Sequence, residues 1–350
     1  MRVLGIETSC DETAAAVVEN GRDVRSSIIL SQIAMHRPYG GVVPEIACRS
    51  HVEALPGVIQ DALDTAQVGW DDLDALAVTS GPGLASSLLT GVSAARGLAL
   101  STGLPLLPVN HLHGHLASLF LGDDVPSPEE ICPALILLVS GGHSALVWME
   151  SWGSFRLLGQ TVDDAAGEAF DKAARLLGLS YPGGPAIEKA AAGGDPNAVR
   201  FPDGRLKATS LPGGIDPRYC FSYSGLKTSL RTHLEAHPEA AATGLADTAA
   251  SFQEAVVRSL VGRLTLAAKE LKPRSLGCVG GVAKNQVLRA GLDALCAKRG
   301  MPLYLAPMAY CTDNAAMIAA AAGLGSTEAK AAFDVEPSML LSAQPQCGGV

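Results

Sequence analysis

A pattern of strand, polar turn and strand, followed later by strand, glycine turn and helix, occurs twice along this chain and limits the folds open to it. The first copy opens with an apolar run from Val3 to Ile6, a polar turn from Thr8 to Thr13, and a second run from Ala14 to Val18. Ala134 to Val139, the turn Ser140-Gly141-Gly142-His143, and Ala145 to Trp148 repeat it. Each reads as a hairpin with an unusually polar turn. Leu73 to Val78 then leads through Ser80-Gly81-Pro82-Gly83 into a helical stretch ending near Leu98. Leu276 to Val279 leads through Gly280-Gly281 into another, from Asn285 to about Lys298. Strands alternating with helices predict an α/β fold, and the echo predicts a duplication.

Three of the chain's eight histidines lie in His111-Leu112-His113-Gly114-His115. An apolar run, Leu104 to Val109, precedes them and reads as a strand. Leu112, Leu116, Leu119 and Phe120 fall at helical spacing, with Asn110 as an N-cap, so the segment reads as a short amphipathic helix. His111 and His115 share a face of that helix, and His113 points roughly 200° away. The pair is a ready metal chelate, or equally a pair of surface or capping histidines. Gly114 weakens a helix by about 1 kcal/mol relative to Ala, which predicts a close approach to its backbone. A zinc protease would need Glu beside the first His as general base, and Leu112 stands there.

Hydrophobic residues make up 48% of the 350 and charged ones 17%, which supplies ample core and argues against disorder. No apolar run is long enough to span a membrane, and the N-terminus lacks a signal-peptide layout. The eight cysteines form no C-x-x-C pair and several sit in apolar runs, as expected of reduced thiols in the cytoplasm. A net charge of −9 disfavours nucleic-acid binding in general. The segment 200–231 departs from it, carrying Arg200, Arg205, Lys207, Arg218, Lys227 and Arg231 against Asp203 and Asp216. It reads as a long ordered loop, either a solvated insertion or a basic face for a polyanion.

The layout resembles the actin-like ATPase and sugar-kinase superfamily, whose two lobes face a nucleotide cleft. Backbone N–H groups in glycine turns and at helix N-termini favour anions, which suits that role. The expected division is a first lobe of 1–133 completed by about 314–340, a second lobe of 134–313 containing the basic loop insertion 200–231, and a tail, 341–350.

Further motifs accumulate in order. They are Glu7 to Thr13, Gly41-Val42-Val43-Pro44-Glu45, Ser80 to Gly83, the histidine helix, Val139 to His143, and Asp164 to Lys172. Tyr181 to Pro185, Phe221 to Thr228, Gly280-Gly281-Val282 and Cys311-Thr312-Asp313-Asn314 complete the set. From about Val3 to Leu324 the chain resembles the TsaD family, the tRNA threonylcarbamoyladenosine synthases. The resemblance implies transfer of a threonylcarbamoyl group from threonylcarbamoyl-AMP to the N6 amine of the adenosine beside the anticodon (position 37), in tRNAs reading codons that begin with A. AMP leaves.

Carried over, the resemblance makes His111, His115 and Asp313 metal ligands, for Fe(II) first and Zn(II) second. Asp313 alone would also read as a carboxylate favoured at a helix start. Leu138, Val139, Ser140, Gly141 and Gly142 match the donor-binding loop, and His143 adds a hydrogen bond there or serves the turn. Asp171, Gly184, Glu188 and Asn285 match positions around the donor's adenosine. Glu45 lies in a family motif without an assigned role. Asp11 is the candidate base for the attacking amine, with a turn-stabilising Asp as the alternative. Lys284, where relatives carry a small residue, and Glu188, where Asp is commoner, depart from the pattern and bear on the adenosine contacts.

The resemblance also implies an inactive paralogue (TsaB-like) and a small ATPase (TsaE-like) as partners beside tRNA, with no membrane partner and a cytoplasmic location. A metalloprotease and a plain nucleotide-binding ATPase are the rival readings.

Overall fold

The protein is described from a computed structural model covering residues 1–122, 125–206, 211, 215–325, 328–330 and 332–341. Lys207 and the tail residues 342–350 lie outside the described residues. The chain divides into two units. The first contains Met1–Ile131, Ser151–Phe155 and the stretch from Ala306 onward; the second contains Cys132–Glu150 and Arg156–Leu305. Residues 306–313 therefore group with the first unit.

The first unit is built on β1 (Arg2–Glu7), β2 (Glu12–Glu19), β3 (Asp23–Ser31), β4 (Ala75–Gly81) and β5 (Leu106–Asn110), in the order β3-β2-β1-β4-β5. β1 pairs antiparallel with β2 and parallel with β4, and β4 pairs parallel with β5. Its helices are α1 (Ile33–His36), α2 (Pro44–Ala66), α3 (Ala85–Thr102), α4 (His111–Ala117), α5 (Pro128–Ile131) and α11 (Ala315–Gly323). The period-two alternation of β1 sends its side chains to two separate cores. Val3 joins Val109, Ala117 and the buried face of α11. Leu4 and Ile6 join Leu55, Ile59 and Leu63 of α2 and Val92 and Ala95 of α3.

Helix α11 is alanine at six of its nine positions and lies flat on the sheet. A nine-residue helix is marginal alone in water, so its stability comes from burial. Gly5 makes that approach possible, because a Cβ there would lie 2.4 Å from the Ala315 carbonyl oxygen.

The second unit repeats the sheet. β6 (Ala134–Val139), β7 (Ser144–Ser151), β8 (Ser154–Gln160), β9 (Ser275–Val279) and β10 (Leu303–Leu305) run in the order β10-β9-β6-β7-β8. β6 pairs antiparallel with β7 and parallel with β9, as β1 does with β2 and β4. The helices are α6 (Ala166–Leu176), α7 (Gly183–Ala190), α8 (Ser224–Ala236), α9 (Leu245–Leu271) and α10 (Gln286–Arg299). The duplication expected from the repeated pattern is present as an identical strand order.

The segment 200–231 is not wholly a loop: α8 starts at Ser224 and takes its last quarter. Asp163 accepts hydrogen bonds from the backbone N–H groups of Tyr223 and Ser224 and so caps that helix. None of the helices among the described residues is long and apolar enough to cross a membrane.

Candidate metal centre

Helix α4 begins where β5 ends. The Asn110 side chain accepts a hydrogen bond from the Leu112 N–H at 2.8 Å, the N-cap expected from the sequence. The amphipathic reading fails, however, because every residue of α4 is buried. The helix packs against α11, β4 and β5, and every one of its residues is covered, which leaves no solvent face for its histidines. Gly114 is where α11 approaches: a Cβ there would lie 2.7 Å from Ile318 Cδ1 and 3.1 Å from Met317 Cγ.

Asp313 reaches the histidines from the start of α11. Asn314 caps that helix by accepting from the Met317 N–H at 2.9 Å, and Asp313 directly precedes the cap. Asp313 Oδ1 lies 3.2 Å from His115 Nε2 and 3.7 Å from His111 Nε2. One potential ligand atom from each residue falls within 4.8 Å of the others. His115 is wholly buried; its Nδ1 has no hydrogen-bond partner, and its Nε2 meets the Asp313 carboxylate only as an ion-pair contact. A buried ring nitrogen without a hydrogen bond costs about 1–3 kcal/mol, and the protein bears this cost where two imidazoles and a carboxylate converge. These donors fit a divalent ion and leave coordination positions open. His113 points elsewhere and packs on Phe155, with ring centroids 4.8 Å apart.

Sequence reasoning missed Glu7, the last residue of β1. It is completely buried and accepts hydrogen bonds from Thr79 Oγ1 and the Ser9 N–H, both at 2.5 Å. Its Oε2 lies 3.1 Å from His111 Nδ1. Burial raises the Glu7 acid, but the His111 charge and the hydrogen bonds from His111 and Thr79 overcome that and leave it below its ordinary value. Burial lowers His111 in turn, and the charges of Glu7 and Asp313 outweigh it and raise the imidazole to about 9 in the metal-free protein. The only local signal was an acidic residue ending an apolar strand.

The turn after Glu7 carries Asp11, which is 8% exposed. Glu12 is held well above the usual carboxylate range by burial and then by the charges of Asp313 and Asp11. Burial and the adjacent Asp11 likewise raise the Cys10 thiol. Negative charge gathers on this side of the unit, which favours a cation.

The remaining candidate residues lie in the second unit. Leu138 and Val139 are fully buried in β6, so only their backbone is available to a ligand. Ser140 closes the turn, its N–H donating to the His143 carbonyl at 2.8 Å and its Oγ accepting from the His143 N–H at 3.2 Å. Gly141 and Gly142 are exposed, with open space where a Cβ would stand. Asp171 Oδ1 accepts from the Gly183 N–H at 2.6 Å, at the N-terminus of α7. Gly184 follows and also faces open space. Glu188 Oε1 accepts from the Gln286 N–H at 2.7 Å, which brings α7 to the start of α10. Asn285 is held at the start of α10. Its Oδ1 caps α10 through the Leu288 N–H at 3.0 Å, and its Nδ2 donates to Gln253 Oε1 at 2.8 Å.

Three arginines of the basic segment are paired with carboxylates. Arg205 pairs with Asp203, Arg218 with Asp216 and Glu270, and Arg231 with Glu235. These arginines are exposed, and such pairs are worth little individually but lower the local positive field.

Comparison with known proteins places this geometry in context. Residues 23–320 match the family model described as TsaD, tRNA N6-adenosine threonylcarbamoyltransferase. A relative bearing that name from Anaeromyxobacter dehalogenans (strain 2CP-C) is 52% identical over 91% of this chain and 92% of its own length. Another, from Anaeromyxobacter sp. (strain Fw109-5), is 50% identical over 97% of this chain and all of its own. Among solved structures, HypF from T. kodakarensis is similar in fold at a TM-score of 0.59, with 15% identity over 93% of this chain and 47% of its own.

Proposed function

Because the chain belongs to the tRNA N6-adenosine threonylcarbamoyltransferase (TsaD) family, we propose that it transfers a threonylcarbamoyl group from threonylcarbamoyl-AMP to the N6 amine of adenosine in tRNA. The observation that carries this is identity of about half the residues, along nearly the full length, to relatives of that name. The duplicated actin-like fold and the His111–His115–Asp313 cluster support it.

In the reaction, the N6 nitrogen attacks the carbamoyl carbonyl carbon and a C–N bond forms. The bond from that carbon to the phosphate oxygen breaks, AMP leaves, and the amine loses one proton. His111, His115 and Asp313 would hold the metal, Fe(II) or Zn(II), which when bound supplies Lewis-acid polarisation and a template for the donor. Glu7 keeps the His111 ring turned so that Nε2 faces Asp313. Asp11 is the proposed base for the amine proton, a role for which a partly shielded carboxylate is suited. In the second unit, the open backbone at Gly141 and Gly142 would accept the donor's anionic groups. Asp171, Gly184 and Glu188 would flank its adenosine at the starts of α7 and α10, with Asn285 acting through the cap it makes.

The protease reading loses its support at Leu112, which is buried in the position a zinc protease gives to Glu. The partners proposed are tRNA, a TsaB-like paralogue and a TsaE-like ATPase. The test combines metal-loaded protein, those partners, preformed threonylcarbamoyl-AMP and tRNA, and reads the modified nucleoside by mass spectrometry. Absence of product with every component present would sink the proposal.

A further inference from the structure

Three fully buried polar side chains outside the metal cluster form a chain of hydrogen bonds that the reaction above does not use. They are Gln32, just after β3, His36 in α1, and His51 in α2. A backbone N–H can only donate, and that sets the direction of the whole chain. The Val43 N–H donates to His36 Nδ1 at 3.3 Å, so His36 carries its proton on Nε2. That Nε2 donates to Gln32 Oε1 at 3.2 Å, which orients the amide and turns its Nε2 toward His51 Nδ1 at 3.3 Å. Thr13 Oγ1 also meets His51 Nδ1, at 2.8 Å. With Nδ1 accepting, His51 is protonated on Nε2, which donates to the Cys10 carbonyl at 3.0 Å. Each bond fixes the donor and acceptor of the next.

The chain ends at the proposed base. The Cys10 carbonyl belongs to the peptide unit entering Asp11, and the Asp11 carbonyl accepts from the Gln32 backbone N–H at 3.0 Å. Both peptide units flanking Asp11 are therefore held by members of one network. Its other end is Val43, the N-cap of α2, reached from His36 through the exposed residues Arg37 to Gly40. A single interior network thus ties an exposed loop to the backbone that aims one carboxylate.

We propose that Gln32, His36 and His51 are positioning residues that hold the Asp11 carboxylate in its reactive orientation and link it to the loop before α2. The proposal rests on the reading of Asp11 as the base. His51→Leu removes the donor to Cys10. His51→Gln places an amide N–H where Nε2 stood and keeps it.

The test measures kcat, KM for tRNA and for the donor, and bound metal in the complete, metal-loaded system. His51→Leu is expected to lower kcat tenfold or more, with both KM values within about twofold and metal content unchanged, and His51→Gln to recover most of the loss. In an Asp11→Asn background, His51→Leu is expected to cost nothing further, because it acts through that carboxylate. If His51→Leu fails to fold, His51→Asn, too short to reach Cys10, replaces it. Equal kcat in His51→Leu, His51→Gln and the parent overturns the positioning role while the Asp11 reading stands. So does an additive loss in the Asp11→Asn background. Full activity of Asp11→Asn overturns both.

Discussion

Glu7 Oε2 lies 3.1 Å from His111 Nδ1 in an interior from which water is excluded. This contact orients a histidine at a helix start, because a ring whose Nδ1 is engaged presents only Nε2 to the His111–His115–Asp313 cluster. Thr79 and the Ser9 N–H hold the same carboxylate, so the strand end, the turn and the helix are joined through one acidic side chain.

Removing that charge should loosen the metal without unfolding the protein. Glu7→Gln keeps the shape and a hydrogen bond, and is expected to weaken metal affinity about 10–100-fold. Competition titration against a chelator of known affinity measures it. Unchanged affinity would mean that the carboxylate serves packing alone.

His115→Leu separates metal binding from folding. It replaces a buried imidazole whose Nδ1 has no hydrogen-bond partner, and whose Nε2 meets only the partly exposed Asp313 carboxylate, by an apolar side chain. The metal-free variant should be at least as stable as the parent, by up to about 1–2 kcal/mol, and should lose the stabilisation that added metal gives the parent. Thermal melts with and without metal decide it.

Gly114→Ala sets a methyl against Ile318 and Met317 of α11. A stability loss of about 1–3 kcal/mol is expected from the overpacking, with weaker metal binding as Asp313 is pushed from the histidines. Urea denaturation together with metal analysis tests both parts.

Asp11→Asn retains size and removes the proposed base. Transfer is expected to fall about 10²–10⁴-fold in kcat while metal content stays the same. A parallel loss of metal would instead assign Asp11 to the metal site.

Acid stability should depend on Asp163. Partial burial raises its carboxyl, but hydrogen bonds from the Ser222 hydroxyl, the Tyr223 N–H and Ser224 override that and hold it below the ordinary Asp value. The folded value thus lies below the unfolded one of about 3.9. Its contribution is fully present above the unfolded value and is lost as pH falls through the folded one. Asp163→Asn should cost roughly 1 kcal/mol near neutral pH, and the gap from the parent should close under acid. Denaturant midpoints measured across that range test the slope.

Much of this was legible in the sequence, and the failures are specific. The hairpins around Thr8 to Thr13 and Ser140 to His143 were readable because strand alternation and turn residues are local signals. Gly114 announced a close neighbour but could not name α11. Helix α4 was misread as amphipathic because histidines at a helical period look like a polar face, and nothing local says that an outer layer covers them. Glu7 carried one local mark, an acidic residue ending an apolar strand, which could not name its partners because Thr79 and His111 come from another strand and a helix.

The period of each element, the duplicated order of strands and the family membership were written in local sequence, because backbone geometry and turn chemistry act over a few neighbouring residues. Which polar groups meet in the buried interior came from long-range packing instead. Glu7 with His111, Asp313 with His115, and His51 with the Cys10 carbonyl are brought together by crossovers between distant segments. Burial then supplies what proximity along the chain cannot: with water removed, each group must find its partner within the fold, and the partner sets its charge and direction.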